Sequence, residues 1–227
     1  MTSPITNADQ EPVVKFTEDQ KYIFDTKGWI AIPGVLNEHD ISEMRDFCYQ
    51  LREKEGAIPE YHRSSIGGPL EKLTDHPLVV GFMNEFVASG YASEDCYGFR
   101  FEGSFLTIRS EGHDNFSPHG GRGMLNFPGN SHTYHLRYDK AHRGLTRVVW
   151  ELNPVKKGCG GTMFLSGSHK AAFPPRFQQK IVIVLFGKTT LVQQELSCFL
   201  LRRLLILVLG GLMDSSIVLQ YLIVTIP

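Results

Sequence analysis

Five of the chain's nine histidines lie within thirty residues, in a segment that also carries two aspartates. The histidines are His113, His119, His132, His135 and His142, and the aspartates are Asp114 and Asp139. Neutral imidazole binds iron, zinc, copper and nickel, and carboxylate oxygens complete many such sites. Residues 110–143 have neither a helical nor a strand period and are rich in Gly, Pro, Asn and Ser. The pattern predicts a metal-binding loop, and solvated histidines without a ligand are the alternative.

Three helices precede this segment and can be recognised by their end residues. A helix begins well at a side chain that accepts a hydrogen bond from the first turn, or at proline, and ends well at glycine. The expected end residues are Thr17 with Gln20 and Gly28 for the first helix, Asn37 and Gly56 for the second, and Pro77, Ser89 and Gly90 for the third. Residues 29–32 form an apolar strand between the first two helices, and residues 57–76 are expected to be a loop.

Short strands flank the histidine-rich segment. From Phe99 to Phe105 apolar and polar residues alternate, as in a strand with one buried face, and residues 106–109 continue the strand. Residues 145–152 and 162–165 also have the composition of strands. Helices followed by strands with glycine turns predict an α+β fold whose core is a sandwich or a barrel.

Composition and charge narrow the class of function. The chain has 227 residues, 42% of them hydrophobic and 21% charged, with a formal net charge of −1. With no basic excess we expect no nucleic-acid partner, and a small-molecule substrate is favoured. The four cysteines are widely spaced and the first twelve residues are polar, unlike a secretory signal. We therefore expect free thiols and a cytoplasmic protein.

Two stretches of the chain resemble a known family. Residues 22–47 read YIFDTKGWIAIPGVLNEHDISEMRDF, and residues 145–170 read LTRVVWELNPVKKGCGGTMFLSGSHK. Together they resemble the phytanoyl-CoA dioxygenase-like family of non-haem iron, 2-oxoglutarate-dependent oxygenases. The GGT and GSHK segments are the more specific part, and the resemblance covers about residues 16–177.

The resemblance implies a fold and a division of the chain. The fold is α+β, with N-terminal helices and a double-stranded β-helix core of the jelly-roll or cupin type, incomplete at its C-terminal end. Residues 1–14 would be a flexible leader, and residues 15–177 a partial phytanoyl-CoA dioxygenase-like domain. Residues 178–227 would be an atypical apolar tail.

The resemblance also implies Fe(II), held by a His-x-Asp/Glu pair and a distal histidine, with 2-oxoglutarate as co-substrate. The segment SPHGG places His119 as the first iron ligand, with Gly121 where the family has its carboxylate. Asp114 or Asp139 could supply a carboxylate instead. His132 is the alternative for the first ligand. The open positions of such a site let 2-oxoglutarate and O₂ bind together, and the substrate would be a small or lipid-like molecule.

Three further residues match positions that line the co-substrate pocket. Trp150 corresponds to the family's pocket tryptophan and Leu106 to a second wall position. Arg109, at the end of its strand, could bind a carboxylate through two hydrogen bonds. Core packing is the alternative role for Trp150 and Leu106, and a solvated surface position is the alternative for Arg109.

The chain departs from the family pattern after the GSHK turn. No histidine follows His169, and Arg202 and Arg203 lie in a leucine-rich run that matches no family motif. An active oxygenase and one inactivated by loss of the distal histidine and arginine both remain open. So does a non-catalytic protein of the same fold that binds a ligand or partner. A zinc cluster is a further alternative, formed by His113, His119, His132 and His135.

The last fifty residues allow three interpretations. They could be sequence foreign to the fold, introduced by splicing or by the gene model. They could hold a tail anchor at residues 204–226, made marginal by Asp214, which costs about 2.5–3.5 kcal/mol on insertion. They could also be buried strands that complete the sheet, at residues 181–186, 204–209 and 217–226.

Overall fold

The computed structural model describes residues 5–87, 93, 96–109, 134–137, 140–142, 145–153, 166–170, 203–208 and 217–225. For residues 135–137, 140–142, 203–208 and 217–225 the description covers the backbone and strand register. The three α-helices lie in the first part of the chain with one strand between the first two, and the other strands follow, with a 3₁₀ helix at Ser168–Lys170. The predicted strand at residues 162–165 falls outside the described residues.

The first helix, α1, spans Glu18–Lys27 and has both predicted end structures. The Gln20 backbone N–H donates to Thr17 Oγ1 at 3.2 Å, and the Thr17 N–H donates to Gln20 Oε1 at 2.9 Å. This reciprocal capping box satisfies two N–H groups that the helix itself cannot. Gly28 ends the helix in the left-handed conformation, with φ +78°. The chain then continues as strand β1, Trp29–Pro33. These predictions are confirmed.

The second helix, α2, spans Glu38–Glu53. Asn37 caps it as predicted, since its Oδ1 accepts from the Asp40 N–H at 2.8 Å. The prediction that Gly56 caps its C-terminus is wrong. The helix ends earlier, where the Lys54 N–H donates to the Gln50 carbonyl, and a 3₁₀ turn at Glu55–Ala57 follows without requiring a left-handed residue.

The third helix, α3, spans Pro77–Phe86 and begins at the predicted proline. It ends before the predicted Ser89, because Val87 has φ −119°, far from the helical value of about −63°. The predicted loop before it contains two further 3₁₀ helices, at Glu60–His62 and Gly68–Leu73. Leu70 and Leu73 are buried, so the second of these contributes to the core.

The strands form one larger sheet and one hairpin. After β1 come β2 at Arg100–Gly103, β3 at Leu106–Arg109, β4 at His135–Arg137, β5 at Lys140–His142, β6 at Leu145–Glu151, β7 at Arg203–Val208 and β8 at Ile217–Thr225. The sheet order is β1-β7-β6-β8-β2, with β3 also on β8, and β4 pairs with β5. β7 is antiparallel to β1 and β6, whereas β8 is parallel to β6, β2 and β3.

Two of the three strands expected in the last fifty residues are therefore present, as β7 and β8. No helix among the described residues is long and apolar enough to cross a membrane. The jelly-roll core stays a prediction, because residues 110–133, 154–165 and 171–202 lie outside the described residues.

The core lies between the helices and β6. Phe24 of α1 and Phe82 of α3 meet edge to face with ring centroids 4.7 Å apart, and both are fully buried. From β6, Val148 and Trp150 enter the same apolar cluster. The alternation from Phe99 to Phe105 predicts one buried face, but this is wrong for Phe101 and Phe105, which are 40% and 41% exposed. The β2–β8 register shifts between Phe101 and Gly103, which breaks the alternation.

Two cysteines are free thiols, as expected: Cys48 is buried in the core and Cys96 is exposed. Burial raises the pKa of the Cys48 thiol to about 12, because the apolar surroundings disfavour the thiolate. The thiolate is the reactive form, so Cys48 serves as a packing residue.

Residues 5–14, which we call the strap, fold back on themselves and lie against α3. The Val13 N–H donates to the Ile5 carbonyl, and the Val14 N–H donates to the Pro77 carbonyl at 3.2 Å. Gly81 makes this approach possible, since a Cβ there would lie 1.8 Å from the Val14 carbonyl oxygen. The predicted flexibility of the leader stays a prediction, because contacts do not measure motion.

Replacing Gly81 by alanine should displace the strap. Alanine favours the helix by about 1 kcal/mol, but its methyl group cannot coexist with the Val14 carbonyl in its present place. We expect faster tryptic cleavage after Lys15, measured by mass spectrometry, with α3 intact by circular dichroism. Gly56→Ala is the matched control, since nothing lies within 4 Å of a Cβ there. Equal cleavage of Gly81→Ala and wild type would contradict the close approach.

Candidate functional site

The predicted iron ligands fall in the part of the chain outside the described residues. This applies to His119 and its alternative His132, and to Asp114 and Asp139. Arg109 ends β3, where its Cα pairs with Thr225 of β8.

The two predicted wall residues, Leu106 and Trp150, lie in one row of the sheet. Leu106 of β3 and Trp150 of β6 both pair with Leu222 of β8, one from each side. Neighbouring strands lie about 4.8 Å apart, so the two backbones are separated by about 10 Å. Both residues also pack against the core cluster. The sheet thus brings together two positions that are 44 residues apart in the chain.

The Trp150 ring lies in the core between β6 and α3. It is 1% exposed and meets the His76 ring edge to face, with centroids 5.3 Å apart. Among the described residues, no atom accepts a hydrogen bond from its indole Nε1–H. Its role as a pocket wall stays a prediction, and its role in the core is shown by these contacts.

His76, which is not among the predicted site residues, caps α3. Its Nδ1 accepts from the Leu78 N–H at 3.2 Å, so the neutral ring carries its proton on Nε2. Burial lowers the pKa of His76 below its ordinary value, although the carboxylates of Glu11, Asp75 and Asp40 act in the opposite direction. A metal at Nε2 would require the proton on Nδ1 and would break the cap. The signal in the sequence was a hydrogen-bond acceptor directly before the Pro77 of a predicted helix.

The opposite face of β6 carries Glu151, a second residue that is not among the predicted site residues. Because side chains alternate along a strand, Glu151 lies on the face opposite Trp150, together with Val149. Glu151 is only 4% exposed and Val149 is fully buried. Buried carboxylates are uncommon outside ion pairs and functional sites. The charged residues at alternate positions of an otherwise apolar strand were the available signal.

The GSHK turn, residues 167–170, docks on the end of α1. His169 Nε2 lies 2.8 Å from the Asp25 carbonyl oxygen, and Lys170 Nζ lies 3.0 Å from Asp25 Oδ2. A carbonyl oxygen only accepts, so Nε2 carries the proton. A cation at the last turn of a helix is also favoured by the helix dipole.

We call the contacts of the GSHK turn with the end of α1 the dock. Further contacts extend it to β1 and to Tyr134 of the histidine-rich segment. Trp29 Nε1 donates to Ser166 Oγ at 3.0 Å, and the Gly167 N–H donates to the Lys27 carbonyl at 2.9 Å. The Tyr134 ring meets the His169 ring edge to face at 5.0 Å, with Lys170 Nζ 4.9 Å from its centroid.

Replacing His169 by alanine should destabilise the protein by about 1–3 kcal/mol, because the helix end loses a donor and the Tyr134 ring loses a neighbour. His169→Gln keeps an amide donor at the same reach and should lose less. Urea unfolding gives both values. His39→Ala, at an exposed position, is the control and should stay within about 0.5 kcal/mol of wild type. Equal stability of His169→Ala and the control would contradict the dock.

A buried amide ties α2 to the end of β6. Asn153 is 3% exposed; its Nδ2 donates to Tyr49 Oη at 3.0 Å, and its Oδ1 accepts from Arg45 Nη1 at 3.3 Å. These bonds fix the chain immediately after Trp150 against the helical layer.

One group of potential metal ligands occurs among the described residues: His39, Asp40 and Glu43, whose ligand atoms lie within 4.8 Å of one another. The group lies in the first turns of α2, and His39 and Glu43 are exposed. Asp40 already accepts from Asn37 Nδ2 at 2.6 Å and lies 3.4 Å from Lys72 Nζ. These competing partners disfavour an ion there.

No family model, no curated protein and no solved structure matches this chain. Its function is therefore argued from the motifs and the contacts described above.

Proposed function

We propose that the chain is a phytanoyl-CoA dioxygenase-like oxygenase domain that uses Fe(II) and 2-oxoglutarate to hydroxylate a small or lipid-like substrate. A reducing compartment such as the cytoplasm suits this chemistry and the free thiols Cys48 and Cys96.

The observation that carries the proposal is the contact between the two stretches that resemble the family. Trp29 of the first stretch donates to Ser166 of the second, and Asp25 of the first meets His169 and Lys170 of the second. The specific contact between the two stretches supports a single domain built from both.

Leu106 and Trp150 would form the walls of a dry pocket. Leu106 and Trp150 are apolar, lie in one row of the sheet and adjoin the core, where they would exclude water from a bound co-substrate. Iron with 2-oxoglutarate would supply the oxidation of a substrate C–H bond. His119, or His132 in its place, would hold the metal, with Asp114 or Asp139 as the carboxylate. Arg109 would meet the co-substrate carboxylate.

An anaerobic titration tests the proposal. Fe(II) with 2-oxoglutarate should give a weak visible charge-transfer band, and either component alone should not. No histidine follows His169, so the metal is expected to bind weakly and iron is added in excess. His119→Ala should abolish the band. A band lost in His132→Ala but kept in His119→Ala would assign the ligand to His132 instead.

His39→Ala is the matched control, because it removes a histidine of the exposed group on α2. It should leave the band unchanged. A wild-type protein that gives no band, or a band that disappears in His39→Ala and persists in both other variants, would overturn the proposal.

A further inference from the structure

The strap is an ordered unit with its own internal bonds. Asn7 is 4% exposed, and its Oδ1 accepts from the Glu11 N–H at 2.8 Å. Thr6 and Pro12 form a β-bridge that closes the loop between them. These bonds lie within the strap, so they do not depend on its contact with α3.

The strap is held by the two residues that flank His76. The Ala8 N–H donates to Asp75 Oδ2 at 3.1 Å, and the Val14 N–H donates to the Pro77 carbonyl at 3.2 Å. Tyr97 Oη also donates to Asp75 Oδ2, at 2.8 Å, and so fixes that carboxylate. Both anchors depend on the backbone geometry at His76, the residue between them.

His76 holds that geometry only while its ring is neutral. Its Nδ1 lone pair accepts the Leu78 N–H, and a proton on Nδ1 would turn this acceptor into a donor. Two donors would then face each other at the N-terminus of α3, where the helix dipole also disfavours positive charge. The ring would have to leave the cap, and the chain on both sides of it would shift.

We propose that His76 is a proton-sensitive latch for the strap: protonation of its ring uncaps α3 and releases residues 5–14 from the helix. The inference is independent of the proposed oxygenase function. It nevertheless concerns the same region, because the His76 ring contacts Trp150. Release would also loosen Phe16, which follows the strap and packs on Phe82 with centroids 5.5 Å apart.

Burial of the His76 ring, which outweighs the charges around it, gives the direction of the effect. Glu11 of the strap, Asp75 beside it and Asp40 of α2 favour the protonated ring, while β6 contributes the uncharged Trp150. Burial acts against the protonated ring more strongly, so the pKa of His76 in the closed state lies below its ordinary value. The open state has a pKa near 6.5 and binds the proton better. Acid therefore favours the open state, and the opening equilibrium rises at most about tenfold per pH unit.

Amide hydrogen exchange in the full chain tests the latch. The amides of Ala8 and Val14 report the two anchors, and amides within α2 give the reference. We expect the protection of the Ala8 and Val14 amides, corrected for intrinsic exchange, to fall by up to about tenfold per pH unit below about pH 6.5. The range stops near pH 5, above which Asp and Glu stay ionised. His76→Asn keeps a cap that does not titrate, so it should remove the slope.

His62 provides the matched control, because its Nδ1 also accepts a backbone N–H, that of Gly68, at 3.1 Å. His62→Asn should keep the wild-type slope. The imidazole titration of His76, followed by NMR in the wild type, should coincide with the opening and needs no variant to fold. Absence of a slope in the wild type, an unchanged slope in His76→Asn, or a slope lost in His62→Asn would overturn the proposal.

Discussion

Gly28→Ala should lower the free energy of unfolding by about 1.5–3.5 kcal/mol. The left-handed conformation at φ +78° costs an alanine about 1–2 kcal/mol. Its Cβ would also lie 2.3 Å from His169 Nδ1, so the ring must move and its bond to the Asp25 carbonyl is lost. That bond contributes about 0.5–1.5 kcal/mol. Urea unfolding followed by circular dichroism measures the sum.

Gly34 separates the two causes. It has φ +71°, close to that of Gly28, but nothing lies within 4 Å of its Cβ position. Gly34→Ala should therefore show the conformational cost alone. In the double variant Gly28→Ala/His169→Ala the steric part should vanish, so the two losses should add to more than the measured total. Equal losses for Gly28→Ala and Gly34→Ala would show that the His169 ring does not press on this turn.

The features that the sequence predicted well depend on residues close together in the chain. The capping box requires only that Thr17 and Gln20 are three residues apart. The end of α1 requires only that Gly28 can adopt a positive φ. The predicted end of α2 at Gly56 was wrong because the helix ends at Lys54 and a 3₁₀ turn follows. The exact residue at which a helix ends is decided by packing, which the local sequence does not contain.

The features that the sequence missed depend on partners far along the chain. The His76 ring packs on Trp150, 74 residues later, and the strap bonds to Pro77, although the His76 cap itself needs only Leu78. The shared partner of Leu106 and Trp150 is Leu222, in the segment that resembles no family motif. The GSHK turn is recognisable from its motif, but its partner, the end of α1, is visible only in the fold.

Trp150→Ala should lower the free energy of unfolding by about 3–5 kcal/mol, the cost of deleting a large side chain from a packed core. Trp150 is 1% exposed and belongs to the cluster that joins β6 to the helices. Its loss would also leave one side of the His76 ring without a neighbour. Trp150→Phe keeps an aromatic ring in the cluster and should lose about 1–3 kcal/mol.

Trp29 is the matched control, as the chain's other tryptophan, half-buried and held by one hydrogen bond to Ser166. Trp29→Phe removes that bond and should cost about 0.5–1.5 kcal/mol. A residue that only lines a pocket can be truncated with little loss of stability, because the pocket face is not packed. A loss below about 1 kcal/mol for Trp150→Ala would therefore assign the ring to a cavity and contradict its place in the core. Trp150→Ala could instead lose much of its free energy of unfolding while Trp150→Phe keeps the charge-transfer band. That pair of results would mean that the core holds the ring in position and a pocket uses only its edge.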